Sequence, residues 1–292
     1  MALWPFGSRT EASLSKEQKT ALAAVVANAK YELIPLKNVR DQAAAVPPKS
    51  QVTVTASPQH GLEATLDVSE FVKSLGHEVT PHFSARMVRD RAHLTDLLAR
   101  AKAIGLRKVF VVGGDAKDGG EYPDGLALLR GLQEIGHPFE DIGVPSYPEG
   151  HAEIPEDVLM RVLKEKAQYA NSTTTQMCFN PERVEAWIRK IRSEGVTLPL
   201  YLGVPGVLEL TKLMTIAGRI GVGESAKFLS KNLGLLGVLA NPGSFGADAY
   251  LKALADTIAD ASTKVTGIHI FTMNQVPNTA AWHQKMLTEL RG

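Results

Sequence analysis

The chain runs to 292 residues with 44% hydrophobic and 22% charged side chains, ordinary globular values that supply a large core and exclude bulk disorder. Thirty-two basic residues against thirty-one acidic give a net charge of +1, which excludes the electrostatic footprint of a nucleic-acid-binding protein or of one held on an anionic membrane. One cysteine, Cys178, excludes an intrachain disulfide and, without a CxxC or Cys/His spacing, a zinc site; a reducing compartment, the cytoplasm, is expected.

The amino-terminal "MALWPFGSRT" has neither a basic segment followed by an adequate apolar run nor enough apolar length to span a bilayer, and reads as a loose arm. Ser15 then caps a helix over "KEQKTALAAVVANAK", and arm and helix together fill residues 1–29. From residue 30 to 292 short β-branched runs alternate with helical periods. The runs are "KYELIP" (30–35), "QVTVTA" (51–56), "EVTPHFSA" (78–85), "KVFVVGG" (108–114), "DIGVPSY" (141–147), "STTTQMCF" (172–179), "LPLYLGV" (198–204) and "TGIHIFTMN" (266–274).

Between them, "DRAHLTDLLARAKAIG" sets Leu94, Leu97, Leu98 and Ala101 on one face with Gly105 as its stop. "PEDVLMRVLKEKAQYA" opens on Pro155, and "NPERVEAWIRKIRSEG" runs from Asn180 as cap to Gly195. Eight strand–helix units predict a single parallel (β/α)8 barrel, with "VLELTKLMTIAGRIG", "GESAKFLSKNLG" and "GADAYLKALADTIADAS" as extra helices before strand eight and "PNTAAWHQKMLTELRG" as the closing helix. An open doubly wound sheet would place a Gly-rich phosphate loop after strand one, and "IPLKNV" is not one.

In such a barrel the chemistry sits at the carboxyl ends of the strands, which brings forward Glu32, Thr55, His82, Asp115, Tyr147 with Glu149 and His151, Gln176 and Asn274. Glu32 lies inside an apolar strand, where a carboxyl group either finds a partner such as Lys37 or a strand-end lysine, or holds its proton because burial disfavours the charge. Asp115 ends "VFVVGGD", where Gly113 and Gly114 allow backbone close to a bound ring; a turn-forming aspartate is the alternative. "SYPEGH" offers a phenol, a carboxylate and an imidazole, or plain turn chemistry, and Gln176 offers an amide to a heterocycle or a satisfied strand residue. "GRIGVGES" (218–225) follows a helix and lacks the lysine of a phosphate loop, and the eight histidines form no i,i+4 helical pair, so no metal is expected.

Taken in order, these strand-end motifs resemble the methylenetetrahydrofolate reductase family from about residue 30 to residue 275. "YELIPLK" stands for its Phe-Glu-Phe-Phe-Pro-Pro strand, "VTPHFSAR" for its Pro-His-Leu, "VVGGD" for its Leu-Arg-Gly-Asp and "SYPEGH" for its Tyr-Pro-Glu-Gly-His. "TTTQMCF" stands for its Thr-Gln-Phe-Phe-Phe, and "GIHIFTMNQ" for its Gly-Leu-His-Phe-Tyr-Thr-Leu-Asn strand.

The resemblance implies that Glu32 is the general acid that protonates N10 of 5,10-methylenetetrahydrofolate, leaving an N5 iminium to accept hydride. It further implies that Asp115 contacts the pterin, that Gln176 orients the substrate ring, and that Thr55, His82, Gly113, Gly114, Tyr147, His151 and Lys166 line the cofactor cleft. The family's arginine before Gly-Asp is Gly113 here, and its paired Arg-Lys becomes Glu165 and Lys166, a glutamate expected to repel a flavin diphosphate. That puts FAD in doubt and resembles the family's flavin-independent branch, in which NADH gives hydride directly to the folate. The alternatives are an FAD-dependent reductase, a folate-binding barrel methyltransferase and a non-catalytic pterin-binding module. The expected partner is a folate, with neither nucleic acid nor membrane, and the expected assembly is a monomer or small homo-oligomer.

Overall fold

The computed structural model describes residues 14–116, 119–209, 211, 215, 244, 245 and 247–292. A leading helix α1 (Lys16–Ala27) starts at Ser15, whose hydroxyl accepts from Gln18 N while the Gln18 side chain accepts from Ser15 N, so two otherwise orphaned amides are satisfied. The chain then enters β1 (Ala29–Leu33), α2 (Val39–Ala44), β2 (Gln51–Val54), α3 (Gly61–Ser74), β3 (Glu78–Ser84), α4 (Arg91–Ile104), β4 (Lys108–Val112) and α5 (Gly125–Ile135). It continues through β5 (Asp141–Ser146), α6 (Glu156–Lys166), β6 (Ser172–Thr175), α7 (Pro181–Ser193) and β7 (Leu200–Pro205). A small antiparallel pair, β8 (Leu208–Glu209) and β9 (Ser244–Phe245), precedes α8 (Asp248–Ala253), α9 (Ala255–Ala259), β10 (Val265–Phe271) and α10 (Val276–Arg291).

Strands β1 to β7 pair in sequence, all parallel, and β10 closes the ring between β7 and β1. All eight predicted strands are present, and the closed parallel barrel with surrounding helices is the predicted (β/α)8 fold. The runs are rich in β-branched and apolar residues because barrel strands are buried on both faces. Every residue of β1 is buried. Inside the wall, Gly203 passes so close to β6 that an added Cβ would stand 2.1 Å from the Thr175 carbonyl oxygen, which only glycine avoids.

The helices lock onto the outside through the faces the sequence marks. Leu94, Leu97, Leu98 and Ala101 of α4 are buried, and Gly105 ends the helix in the left-handed region at φ 76°. Asn180 accepts from the amides of Glu182 and Arg183 to cap α7, with Pro181 at its first turn. The last helix is pinned through His283, which bridges the Tyr31 hydroxyl at 2.7 Å and the Val26 carbonyl at 2.7 Å and so joins α10, β1 and α1 in one buried contact.

Two expectations change. "GADAYLKALADTIADAS" is not one helix: it breaks at Leu254 into α8 and α9, where the Leu254 amide turns back to the carbonyls of Tyr250 and Leu251. Lys37 is exposed beyond the end of β1 and is not the partner of Glu32. The amino-terminal arm, "GRIGVGES", "GESAKFLSKNLG" and most of "VLELTKLMTIAGRIG" lie outside the described residues. Among those described, no helix is long and apolar enough to cross a membrane and no group of metal-binding side chains gathers.

The amino-terminal ends of the strands form an ionic floor. Lys108 Nζ lies 3.0 Å from Glu78 Oε2 and 3.6 Å from Asp141 Oδ2, while buried Lys30 places Nζ 3.6 Å from the centroid of the Tyr201 ring. Burial pushes the Lys30 ammonium down from its ordinary 10.5 to about 8, with Asp141 and Glu78 opposing and Lys108 assisting. The unfolded chain holds that proton to higher pH than the folded one, so this group's contribution is most favourable above pH 10.5 and is lost as pH falls to about 8. Lys30→Met keeps the stem without the charge. Roughly 3 kcal/mol of relieved desolvation, less about 1–2 kcal/mol of lost cation–π contact, is expected to leave the variant more stable at pH 7. It should also lack its share of the rise in stability between pH 8 and pH 10, and urea unfolding at pH 7 and pH 9.5 checks both.

Candidate active site

Glu32 sits near the carboxyl end of β1, and both its carboxylate and the His269 ring of β10 are buried. His269 Nε2 lies 3.0 Å from Glu32 Oε2. The pair is fixed from behind by the Thr272 hydroxyl, which donates to the Glu32 carbonyl. A buried carboxyl group is costly without a partner; here the partner is an imidazole from the neighbouring strand.

A cavity of about 170 Å³ opens over this pair, lined by Glu32, His82, Phe110, Tyr147, Gln176 and Phe271 among others. His82, Phe110, His269 and Phe271 form its ring-lined wall, with centroids 4.8 Å apart for His82–Phe110 and for His269–Phe271. Gln176 uses Oε1 to accept from the Met177 amide at 2.8 Å, which leaves its Nε2 donor without a partner among the described residues. The result is a flat slot with an acid at one edge and an amide at another, suited to a planar, polar heterocycle.

His82 Nε2 and His269 Nδ1 are buried with no hydrogen-bond partner among the described residues. Burial, reinforced by the charges of His269 and Lys30, pushes His82 from its ordinary 6.5 down to about 3. The folded chain therefore keeps His82 neutral while the unfolded chain protonates it below pH 6.5, so stability is lost as pH falls from 6.5 towards 3. His82→Gln is expected to remove about 2 kcal/mol of the loss between pH 7 and pH 5, read by denaturant unfolding at the two pH values.

A second cavity, about 380 Å³, adjoins the first and shares Pro145 and Tyr147 with it. It lies between α5, α6 and α7, with Gly113, Lys166 and Trp187 in its lining. Its charged lining is Asp124, Glu149 and Glu156 against Lys166 and Arg183. Asp124 caps α5 by accepting from Leu126 N and Ala127 N, Glu156 is held by Lys190 at 2.6 Å, and Cys178 Sγ donates to Glu149 at 3.2 Å. Lys166 makes no hydrogen bond or ion pair with any described residue; burial pushes its ammonium below the usual lysine range and Asp124 pulls it partly back.

Of the residues singled out from sequence, Glu32, His82, Tyr147 and Gln176 meet at the first cavity and Gly113, Tyr147 and Lys166 at the second. Thr55, Gly114, Asp115 and His151 line neither. Asp115 is exposed; burial raises the Tyr147 phenol above its ordinary range and the Asp115 charge adds to that rise, so Asp115 stands close to the rim. His151 packs its ring edge-on to Tyr147 at 5.3 Å and accepts from Glu153 N, while Gly150 N donates to the Tyr147 carbonyl, the turn reading of "SYPEGH". Gly114 has φ 87° and no room for a Cβ, which would stand 1.8 Å from Ser84 Oγ.

Asn274 serves the backbone of β1 rather than the cavity, accepting from Ile34 N and donating to the Ile34 carbonyl, both at 2.9 Å. Glu165 does not line the cavity; its carboxylate pairs with Arg130 of α5 at 3.1 Å. His269, Phe110 and Phe271 are site residues that the sequence motifs missed; the alternation that puts His269 on the same side of β10 as Phe271 is the signal that could have found them.

A closed eight-stranded barrel with a buried acid and an amide facing a slot at the carboxyl ends of its strands has the layout of a (β/α)8-barrel enzyme. The chain belongs to the methylenetetrahydrofolate reductase family, whose model matches residues 34–286. It is 32% identical over 127 residues, 41% of this chain, to a probable methylenetetrahydrofolate reductase (NADPH) of Caenorhabditis elegans, and 24% identical over 188 residues, 61% of this chain, to methylenetetrahydrofolate reductase 1 of Schizosaccharomyces pombe. The matched segments span only 19% and 30% of those proteins. Among solved structures, a GH18 chitinase of Cycas revoluta superposes with a TM-score of 0.53 at 10% identity, covering 90% of this chain and 99% of its own, a likeness of fold alone.

Proposed function

We propose that this protein reduces 5,10-methylenetetrahydrofolate to 5-methyltetrahydrofolate with NADH as direct hydride donor. The observation that carries the reading is Glu32, held by His269 at the floor of a ring-lined slot beside the Gln176 amide. In the proposed reaction Glu32 gives its proton to N10, the bond from N10 to the methylene carbon breaks, and the N5 iminium carbon accepts hydride from the reduced nicotinamide. Product leaves as the methyl compound with oxidised nicotinamide, and the Glu32 carboxylate regains a proton from solvent. His269 keeps the carboxyl group aimed at the slot, Gln176 orients the pterin, and the ring-lined wall keeps water from the iminium.

The second cavity bears on whether a resident flavin belongs in this scheme. Gly113 carries no side chain there although a Cβ would have 4.0 Å of clearance, and three carboxylates outnumber the two cations, Lys166 and the exposed Arg183. A prosthetic group must stay bound through turnover, and its diphosphate would meet little here to hold it, so the residues fit a resident flavin poorly and no step is routed through one. The test is anaerobic NADH consumption by the purified protein with methylenetetrahydrofolate and no added flavin. Folate-dependent oxidation by a colourless protein supports the proposal, and dependence on added FAD overturns it.

A further inference from the structure

We infer that His269 carries its one ring hydrogen on Nε2 and donates it to Glu32 Oε2 throughout the cycle, so that Glu32 Oε1 holds the proton that reaches the substrate and His269 sets how readily it is released. What that proton does rests on the reductase reading, whereas the place of the ring hydrogen follows from the surroundings alone. His269 Nε2 stands 3.0 Å from Glu32 Oε2, and the two side chains are only 2% and 7% exposed. The other ring nitrogen, Nδ1, is buried with no hydrogen-bond partner among the described residues. Around it stand rings, with centroids at 4.8 Å for Phe271, 6.3 Å for His82 and 6.4 Å for Phe110.

The ring can hold its hydrogens in three ways. A hydrogen on Nδ1 buries an N–H against the ring-lined wall with no acceptor in reach, a loss of about 1–3 kcal/mol. An imidazolium incurs the same loss and adds a positive charge beside Lys30, which pairs with His269 in the β1–β10 register and enters the barrel on the same side as Glu32. A hydrogen on Nε2 leaves only the Nδ1 lone pair unmatched, the smaller loss, and turns the N–H to the carboxyl group. The other titratable groups facing the pair, His82 of β3 and the Tyr147 phenol beyond β5, do not compete for the proton near neutrality, because burial keeps the imidazole neutral and the phenol protonated.

In a protonated carboxyl group the oxygen that accepts an N–H is the carbonyl one, so the hydroxyl hydrogen sits on Oε1. When the Oε1–H bond breaks, its electron pair stays on the carboxylate and N10 takes the proton on its lone pair. The hydrogen bond from Nε2 then reaches a full negative charge and strengthens. His269 thereby favours the carboxylate that the transfer produces without exchanging a proton itself; it acts through Glu32 as a positioning residue.

Nitrogen-15 NMR of the histidine-labelled wild type reads the ring hydrogen directly, with the His269 signals identified by their loss in His269→Gln. Nε2 is expected in the protonated class and Nδ1 in the unprotonated class; a hydrogen on Nδ1 overturns the inference whatever the protein catalyses. His269→Phe keeps a ring and loses the donor. It is expected to lower kcat about tenfold to a hundredfold and, because the carboxylate loses its donor, to move the alkaline limb of kcat/KM up by about one to two pH units, the size of a lost hydrogen bond to a charged group. The Kd of an unreactive folate should stay within about twofold. His269→Gln, whose amide nitrogen reaches the place of Nε2, should recover most of the rate and return the limb to its wild-type position. A rate loss in His269→Phe with the limb unmoved would mean that the ring only fills space, and would overturn the role given to it. If the wild type shows no folate-dependent NADH oxidation, the reductase reading fails by itself, and the NMR result still decides where the ring hydrogen sits.

Discussion

Replacing Glu32 with glutamine is expected to lower folate-dependent NADH oxidation about a thousandfold, within the range for loss of a general acid, while folate binding changes little. Glutamine has the shape of glutamate and its side-chain amide can still bond His269 Nε2, now 3.0 Å from Glu32 Oε2, so the slot and its ring-lined wall should persist. What disappears is the dissociable proton. Without it N10 is a poor leaving group and the iminium does not form, so kcat falls while the Kd of a folate that cannot react stays within about twofold. Steady-state kinetics with fluorescence titration of an unreactive folate measures both quantities. A variant that turns over at the wild-type rate would remove Glu32 from the role assigned to it.

Why this carboxyl group needed a structure to be understood is instructive. That Glu32 lies in a buried strand is legible from "KYELIP" alone, because β-branched and apolar neighbours bounded by Pro35 mark a short strand. Its partner is not legible, since His269 stands 237 residues away and becomes a neighbour only when β10 closes the barrel beside β1. Lys37 is nearer in sequence than His269, but it lies past the strand end in an exposed turn. Glu165 is a related case: a motif comparison gives its position in line but not the Arg130 that α5 brings across to it. The eight strands could be read because composition and period are local properties. The second cavity could not, because α5, α6 and α7 meet there only after the barrel has curved. The break at Leu254 escaped because the apolar spacing of Tyr250, Leu251, Leu254 and Ile258 continues through it.

Asn274→Ala is expected to cost roughly 3–5 kcal/mol of stability, the largest structural effect among the substitutions considered. Asn274 is buried and left-handed at φ 52°, directly after Met273 at φ 48°, so the chain leaving β10 makes two successive left-handed steps without glycine. Its side chain meets both polar groups of Ile34 just beyond β1 and also donates to Asn38 Oδ1 at 3.1 Å. Alanine leaves the Ile34 amide and carbonyl unpaired at the seam where the barrel closes, and it tolerates the left-handed region less well than asparagine.

Two further variants separate these contributions. Asn274→Gly relieves the backbone and should recover about 1 kcal/mol relative to alanine, while Asn274→Asp keeps the acceptor for Ile34 N but turns an oxygen towards the Ile34 carbonyl and should recover little. Urea unfolding of the three variants gives the order, and equal stabilities for glycine and alanine would refute the backbone contribution. Because the Thr272 hydroxyl donates to the Glu32 carbonyl and accepts from the Asn274 amide, loosening this seam should also lower kcat by moving Glu32, even though Asn274 lines neither cavity.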